Sequence, residues 1–495
     1  MAGTFWAVLP PVIAIVLALI TKEVYSSLLI GILVGAMLFT GFNPLTATEV
    51  TFDIMGAKIA DNVDILIFLV MLGMLVSLVT KSGASRAYGE WASRVITSRR
   101  GALLATSFLG VFIFMDDYFN CLTVGTVMRP VTDKYKVTRA KLAYIIDSTA
   151  APVCIIAPVS SWAAAVSSSL PEDAGINGFT LFLQTIPFNL YALLTLAFIV
   201  WIMILDKDFF AMGKYNEKVL ASGKIDTNNE ESTVICGSGT VIDLILPIVV
   251  LIVSCILAMI YTGGGFDGVG LIDAFADCSA SRSLVLGSFF ALIFTAIMYL
   301  GRKTLTFNQF CESFVAGFKA MVPAIFILTF AWTLSGVCSA DYLNLRGYVA
   351  MLVEGNHAIG MVMPAVFFLI SLGLAFATGT SWGTFGILIP IAFSIFGVGE
   401  MLTITVAACL AGAVCGDHIS PISDTTILAS AGAQCNHLDH VSTQIPYALS
   451  VAGMCLIGYL AAGFTGSGWV GLAVGAVCLV VFALAMSVRG KNQKV

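Results

Sequence analysis

Eight stretches of this chain run for about 20 residues each with almost no charge: 5–21, 24–42, 63–80, 179–205, 241–262, 283–300, 444–464 and 470–488. A helix of ~20 residues, rising about 1.5 Å per residue, crosses the ~30 Å hydrocarbon layer of a bilayer. Only 11% of the 495 residues are charged and 59% are apolar, at a mean hydropathy of +0.98. A soluble protein would carry about 25% charged residues. The fold class is therefore an all-α polytopic membrane protein. The first run lacks a basic leader, contains Pro10-Pro11 and is followed at once by Lys22-Glu23 and another span, so it is expected to be retained. The net charge of −5 says little, because the charges of such a chain are confined to loops, and no nucleic-acid partner is expected. Twelve cysteines without a CxxC pair, most inside apolar runs, are read as small buried hydrophobes, so no bound cofactor is expected.

The chain repeats itself. Residues 27–31 (SLLIG) recur at 283–287 (SLVLG), Gly56-Ala-Lys58 at Gly317-Phe-Lys319, Pro130 at Pro390, and Ile186-Pro-Phe188 at Ile445-Pro-Tyr447. The offsets stay between 256 and 261 and keep their order. The expected organisation is a first repeat over 1–205, a cytoplasmic linker over 206–240, a second repeat over 241–465, and an extra membrane helix with a tail over 466–495. The polar segment 206–236 reads as solvent-exposed, with no fold of its own.

Loop charges set the orientation. Lys81, Arg86, Arg94, Arg99 and Arg100 crowd one loop, and Arg129, Lys134, Lys136, Arg139 and Lys141 the next. Both belong in the cytoplasm by the positive-inside rule. Residues 101–128 then enter and leave on one face as a hairpin. The counterpart around 360–398 has only Arg346 near it and is expected outside, which turns the second repeat upside down. Each repeat should hold three helices, a re-entrant hairpin, a broken helix and a further helix. The amino terminus then falls outside, and Arg489, Lys491 and Lys494 lie in the cytoplasm, as for a multi-pass protein of the inner (plasma) membrane. Inverted repeats with discontinuous helices meeting at the midplane are a transporter architecture.

Three polar clusters interrupt the apolar segments. The first is FMDDYFN (114–120), with Asp116, Asp117, Tyr118 and Asn120, whose counterpart TGTSWGT (378–384) offers Thr378, Thr380 and Ser381. The second is Asp147, Ser148 and Thr149, then Pro152, then Ser160, Ser161 and Trp162. The third is GDHISPISDTT (416–426), with Asp417, His418, Ser420, Ser423, Asp424, Thr425 and Thr426. An ionised Asp at the centre of a membrane helix costs about 2.5–3.5 kcal/mol on insertion scales, and a broken helix is tolerated only where its backbone lines a cavity or lies buried in protein. Ser420-Pro421 resembles a helix start, with Ser as N-cap and Pro at the first position. Pro421 breaks the helix between Asp417 and Asp424, so both are placed to approach one ion from opposite sides. APVSSW aligns on SPISDT at an offset of 263, and an alignment of Pro152 with Pro421 stays open.

Carboxylates, hydroxyls and free carbonyls are hard oxygen ligands suited to Na⁺. The expected ion ligands are Asp417, Asp424, Ser420, Ser423, Thr425, Asp147, Ser148 and Thr149, with Na⁺ on Asp417 and Asp424. Asp116, Asp117, Tyr118, Asn120, Ser160, Ser161, Trp162, Thr378, Thr380, Ser381 and His418 are the expected substrate wall. His418 either carries a proton or orients Asp417.

GDHISPISDTT, with FMDDYFN and the duplicated proline turns, is similar to the signature of NhaC-type sodium/proton antiporters of the ion transporter superfamily. That resemblance implies a homodimer and an elevator-like movement of a transport domain. It implies Na⁺/H⁺ exchange by alternating access, with an alternative in which Na⁺ or H⁺ drives a small organic solute, amino acid first and carboxylic acid second. No enzyme is expected. An intramembrane aspartyl protease carries GxGD where this chain has Val414-Cys415-Gly416-Asp417, and no phosphate loop lies between the repeats.

Overall fold

The computed structural model describes residues 2–21, 23–170, 175–222, 237–270, 274, 278–345, 347–348 and 357–492. These residues form helices joined by turns, with no strand among them. The first half contains α1 (Leu9–Thr21), α2 (Val24–Phe39), α3 (Pro44–Asp61), α4 (Val63–Ser82), α5 (Ala84–Val95), α6 (Arg99–Phe112) and α7 (Asp117–Lys134). It continues through α8 (Arg139–Cys154), α9 (Ser161–Ser168), α10 (Gly178–Thr185), α11 (Leu190–Leu205) and α12 (Phe210–Ser222). The second half contains α13 (Val241–Thr262), α14 (Ala280–Gly301), α15 (Phe307–Val337), α16 (His357–Thr378) and α17 (Ser381–Phe396). It closes with α18 (Glu400–Ile419), α19 (Asp424–Ala433), α20 (His437–Thr465) and α21 (Gly468–Asn492).

Among the described residues, 8 helices are long and apolar enough to cross a membrane, or up to 10 if each of two bent pairs is one span. The chain is a multi-pass membrane protein. A helix that is apolar all round is either buried in protein or faces lipid, and burial separates the two cases. The apolar window of α18 is 100% buried, whereas that of α21 is 22% buried. Every residue of α8 is buried as well. Helices α8 and α18 thus form the interior, while α13, α14 and α21 present residues such as Leu257, Ile297 and Val477 outward.

Two helical hairpins and two broken helices position the polar clusters. Helices α6 and α7 meet at residues 113–116, where the Asp116 carboxylate accepts from the Phe119 amide at 3.0 Å and caps α7. Helices α16 and α17 meet at Gly379-Thr380. Gly379 has φ +70°, and a Cβ there would lie 2.3 Å from the Ile422 carbonyl oxygen, so only glycine fits. The break between α8 and α9 ends at the capping Ser160, and that between α18 and α19 at the capping Ser423, 263 residues later. Pro152 lies inside α8, two residues before its end. Helices α7 and α19 cross with backbones touching: a Cβ on Gly125 would lie 2.4 Å from the Gly432 carbonyl carbon.

Several expectations are corrected. The run 179–205 is not one helix; it breaks at Ile186–Phe188, and Asn189 caps α11 by accepting from the Ala192 amide. The run 24–42 stops at Phe39, and α3 turns away from α2 by 119°. The segment 206–236 is not structureless: α12 folds onto α20, and the Phe209 amide donates to Tyr447 Oη at 2.8 Å. Residues 223–236 lie outside the described residues, as do Arg346 and Lys494. Lys141 and Arg139 are not loop charges but open α8, buried. Lys141 Nζ donates to Asp208 Oδ2 at 2.8 Å, with the side chains only 1% and 8% exposed. Asn216 of α12 donates to the same oxygen at 2.8 Å and accepts from the Thr138 hydroxyl.

Candidate functional site

The acids meet where the two broken helices cross. Asp417 ends the last full turn of α18 and is 2% exposed; its Oδ2 accepts from the Thr425 hydroxyl at 2.9 Å. The hydroxyls of Ser423 and Thr425 lie 3.1 Å apart, extending that chain into the link between α18 and α19. Asp147, in the middle of α8, is fully buried; its Oδ2 accepts from Gln444 Nε2 at 2.6 Å and faces Thr426 Oγ1 at 3.2 Å. The Thr426 hydroxyl also lies 3.3 Å from the Asp417 carbonyl, so one side chain touches both acids' residues. Asp147 Oδ1 and Asp417 Oδ1 are buried, and neither finds a hydrogen-bond partner among the described residues.

Asp424 occupies a different setting. It is the first residue of α19, it is exposed, and its Oδ2 accepts from Tyr118 Oη at 3.2 Å. Asp117, Tyr118, Trp162, Thr380, Asp417 and Asp424 line one crevice of about 10 Å³, the room of a single water or bare cation. Asp116 does not line it. Its carboxylate is spent on the Phe119 amide and on the Ser161 hydroxyl at 3.2 Å. Trp162 is fully buried and meets Trp382 edge-on, with ring centroids 6.1 Å apart.

Other expected site residues hold backbone together. Asn120 Nδ2 lies 2.6, 2.8 and 3.3 Å from the carbonyls of Gly110, Ile113 and Thr149, tying the first hairpin to α8. Ser160 caps α9, with its Oγ 2.8 Å from the Cys154 carbonyl. Thr149 and Thr378 bond back to carbonyls one turn earlier on their own helices, and Ser148 is buried next to Thr149 in α8. Ser381 donates to the Ala413 carbonyl and Ser420 to the Phe376 carbonyl. Ser420 is not the helix start: α18 runs to Ile419, Ser420 follows it, and Ser423 caps α19 with Pro421 in the link. Both serines accept from an amide ahead of them, Ser420 from Ile422 inside the link and Ser423 from Thr426 in the first turn of α19, so only Ser423 caps a helix.

Sequence reasoning missed three partners of this centre. His440 Nε2 stands 3.4 Å from Asp147 Oδ2, Gln444 donates to both Asp147 and the His418 carbonyl, and Tyr191 Oη lies 3.0 Å from His418 Nδ1. The signal was present: His437, His440 and Gln444 follow one another at helical spacing along one face of α20. His437 also braces the link, its Nε2 2.7 Å from the Pro421 carbonyl. His418 Nε2 lies 4.0 Å from Asp147 Oδ1, so its ring faces Asp147 rather than Asp417.

The sequence model of the Na⁺/H⁺ antiporter family matches residues 174–464. An uncharacterized protein of Haemophilus influenzae is 39% identical over 99% of this chain and 96% of its own length. The chain belongs to the Na⁺/H⁺ antiporter family. A malate-2H⁺/Na⁺-lactate antiporter of Bacillus subtilis is 27% identical over 37% of this chain and 42% of its own length. An arginine/ornithine antiporter of Halobacterium salinarum is 37% identical over 20% of this chain and 22% of its own. For an antiporter-family protein the donor set is informative. Among the described residues Asp116, Asp117, Asp147, Asp417 and Asp424 form no ion pair with lysine or arginine, and no cluster of three or more His, Cys, Asp or Glu gathers as a transition metal requires.

Proposed function

We propose that this antiporter-family protein exchanges Na⁺ for H⁺ across the inner membrane by alternating access. One observation carries the reading: Asp147 and Asp417 are buried carboxylates without a lysine or arginine partner among the described residues, Asp147 facing only the histidines His440 and His418, and the two are linked through the Thr426 contacts. An uncompensated buried charge is costly, so each acid needs a neutralising partner. A proton and a small cation are the two that the oxygen-rich setting accepts. Asp417, with the hydroxyls of Thr425 and Ser423, offers Na⁺ hard ligands at the end of α18, where the last carbonyls of a helix carry partial negative charge. Protonation of the same carboxylate releases the ion, and only neutralised states move. Asp424 and Tyr118 form the exposed approach to that ligand set.

In this reading the halves are inverted repeats, the amino terminus is external and the carboxyl terminus cytoplasmic. The protein works as a homodimer whose transport unit moves like an elevator. The test is a reconstituted flux assay with Na⁺- and pH-sensitive dyes. Asp417→Asn should abolish pH-dependent Na⁺ flux, and normal flux in that variant would falsify the assignment.

A second reading is a Na⁺- or H⁺-coupled carrier of a small organic solute. The organic exchangers named among the relatives favour it. Flux that appears only when an amino acid or a carboxylic acid is added selects it over pure ion exchange.

A further inference from the structure

Away from the acids, the outer side of the first hairpin joins an apolar strip to a group of unpaired cations. Helices α6 and α11 run antiparallel there. Arg99 Nε, at the start of α6, donates to Asp206 Oδ1, just past the end of α11, at 3.1 Å, and the Ser107 hydroxyl meets Met203 Sδ at 3.2 Å. At 3.6 residues per turn, Arg100, Leu104, Phe108 and Val111 share one face of α6. All four are exposed, Phe108 at 69%. Val200 and Ile204 of α11 are exposed too, one turn apart. In an antiparallel pair these two sets fall on the same side of the Ser107–Met203 contact and make one surface. From Leu104 to Val111 it runs about 10 Å, which fits within one leaflet of a ~30 Å core.

One end of the strip is cationic. Arg100 and Lys207 follow the two partners of the Arg99–Asp206 bridge in the chain, and the Lys136 carbonyl accepts from Arg99 Nη1 at 3.4 Å. Arg100, Lys136 and Lys207 form no ion pair among the described residues. The acids next to them in the chain are already engaged, Asp206 with Arg99 and Asp208 with the buried Lys141. Like charges held together repel, and an anion between them removes that repulsion. A free anion makes no use of the apolar strip, whereas a phospholipid with an anionic headgroup matches both parts.

We propose that this face binds an anionic phospholipid, its phosphate held by Arg100, Lys136 and Lys207 and one acyl chain laid along Leu104, Phe108 and Ile204. Arginine suits the phosphate, because its planar fork offers two parallel donors. The basic loops put the site on the side that the positive-inside rule gives to the cytoplasm, where anionic lipids make the surface potential negative. The bound lipid ties the hairpin that carries Asp117 and Tyr118 to α11. Lipid retention rather than ion flux is the readout, so this inference and the exchange reading can each fail alone.

The test is native mass spectrometry of the full-length protein released from nanodiscs of equal parts phosphatidylglycerol and phosphatidylcholine. Wild-type protein should keep phosphatidylglycerol and shed phosphatidylcholine. The double variant Arg100→Gln with Lys207→Gln should retain about fivefold less for each cation removed. Arg86→Gln, which removes a cation that already faces Glu90 on α5, should retain lipid as the wild type does. In phosphatidylcholine alone the double variant should unfold at the wild-type temperature, and adding phosphatidylglycerol should raise the midpoint of the wild type only. The comparison of the two lipids on the wild type stands whatever the variants do. Equal retention by the double variant overturns the proposal, as does an equal loss in Arg86→Gln. Phosphatidylcholine held as firmly as phosphatidylglycerol overturns it too. Displacement by excess glycerol phosphate would make this a site for a free anion, and a Leu104→Cys crosslink between two copies would put a second chain on the strip; either result sinks the lipid.

Discussion

Gln444 Nε2 donates to Asp147 Oδ2 at 2.6 Å, and its second N–H reaches the His418 carbonyl at 2.7 Å. One amide on α20 therefore holds the acid of the first broken helix against the end of the second. Gln444→Leu should cost about 1–3 kcal/mol, the loss expected when buried acceptors are left without a donor. Thermal unfolding in detergent reads that cost. Flux should fall with it, and Gln444→Glu, which sets a second carboxylate beside Asp147, should fall further.

Thr425 supplies the hydroxyl on Asp417 Oδ2. Thr425→Val keeps the shape and removes the donor and ligand, so the Na⁺ concentration for half-maximal exchange should rise about tenfold. Thr425→Ser should stay near wild type. Equal behaviour of the two variants would show that the methyl group, not the hydroxyl, matters.

Gly379 is held by its φ of +70° and by the Ile422 carbonyl. Gly379→Ala should destabilise by at least about 2 kcal/mol, combining left-handed strain with a backbone clash. The measurement is the unfolding midpoint. An unchanged midpoint would mean that the turn between α16 and α17 is not packed on the link as described.

Lys141 and Asp208 form an ion pair with almost no exposure. Lys141→Met strands a buried carboxylate, at a cost of about 3–5 kcal/mol. The double variant Lys141→Met with Asp208→Asn should recover part of that loss. A full double-mutant cycle gives the coupling, and a coupling near zero would refute the pairing.

Local signals were legible and long-range ones were not. Asp417 and Thr425 belong to one short motif, so their meeting follows from a helix that breaks and restarts within a few residues. Asp147, Thr426 and Gln444 are 279 and 297 residues apart, and no spacing states which helices cross. His440 is hidden in the sequence because the uncharged run starts at Gln444, whereas α20 begins at His437, so its polar face straddles that boundary. The error at Ser420 has a similar root: two serines flank Pro421, and the amides of α19, not the proline, select the cap. The polar composition of α12 describes one face only; the other rests on α20 and turns Asn216 inward onto Asp208.

Where Gly125 meets Gly432, main chain lies against main chain and no side chain cushions the contact. Sliding α7 along α19 by even one residue would drive a Cβ into a carbonyl, and close-packed interiors do not yield to that. The first hairpin and the second half of the broken helix are therefore locked into one piece. In the proposed alternating-access cycle, the rearrangement has to run along another joint, and the aromatic surfaces shared by α9 and α17 are where two bodies can part without tearing a backbone contact.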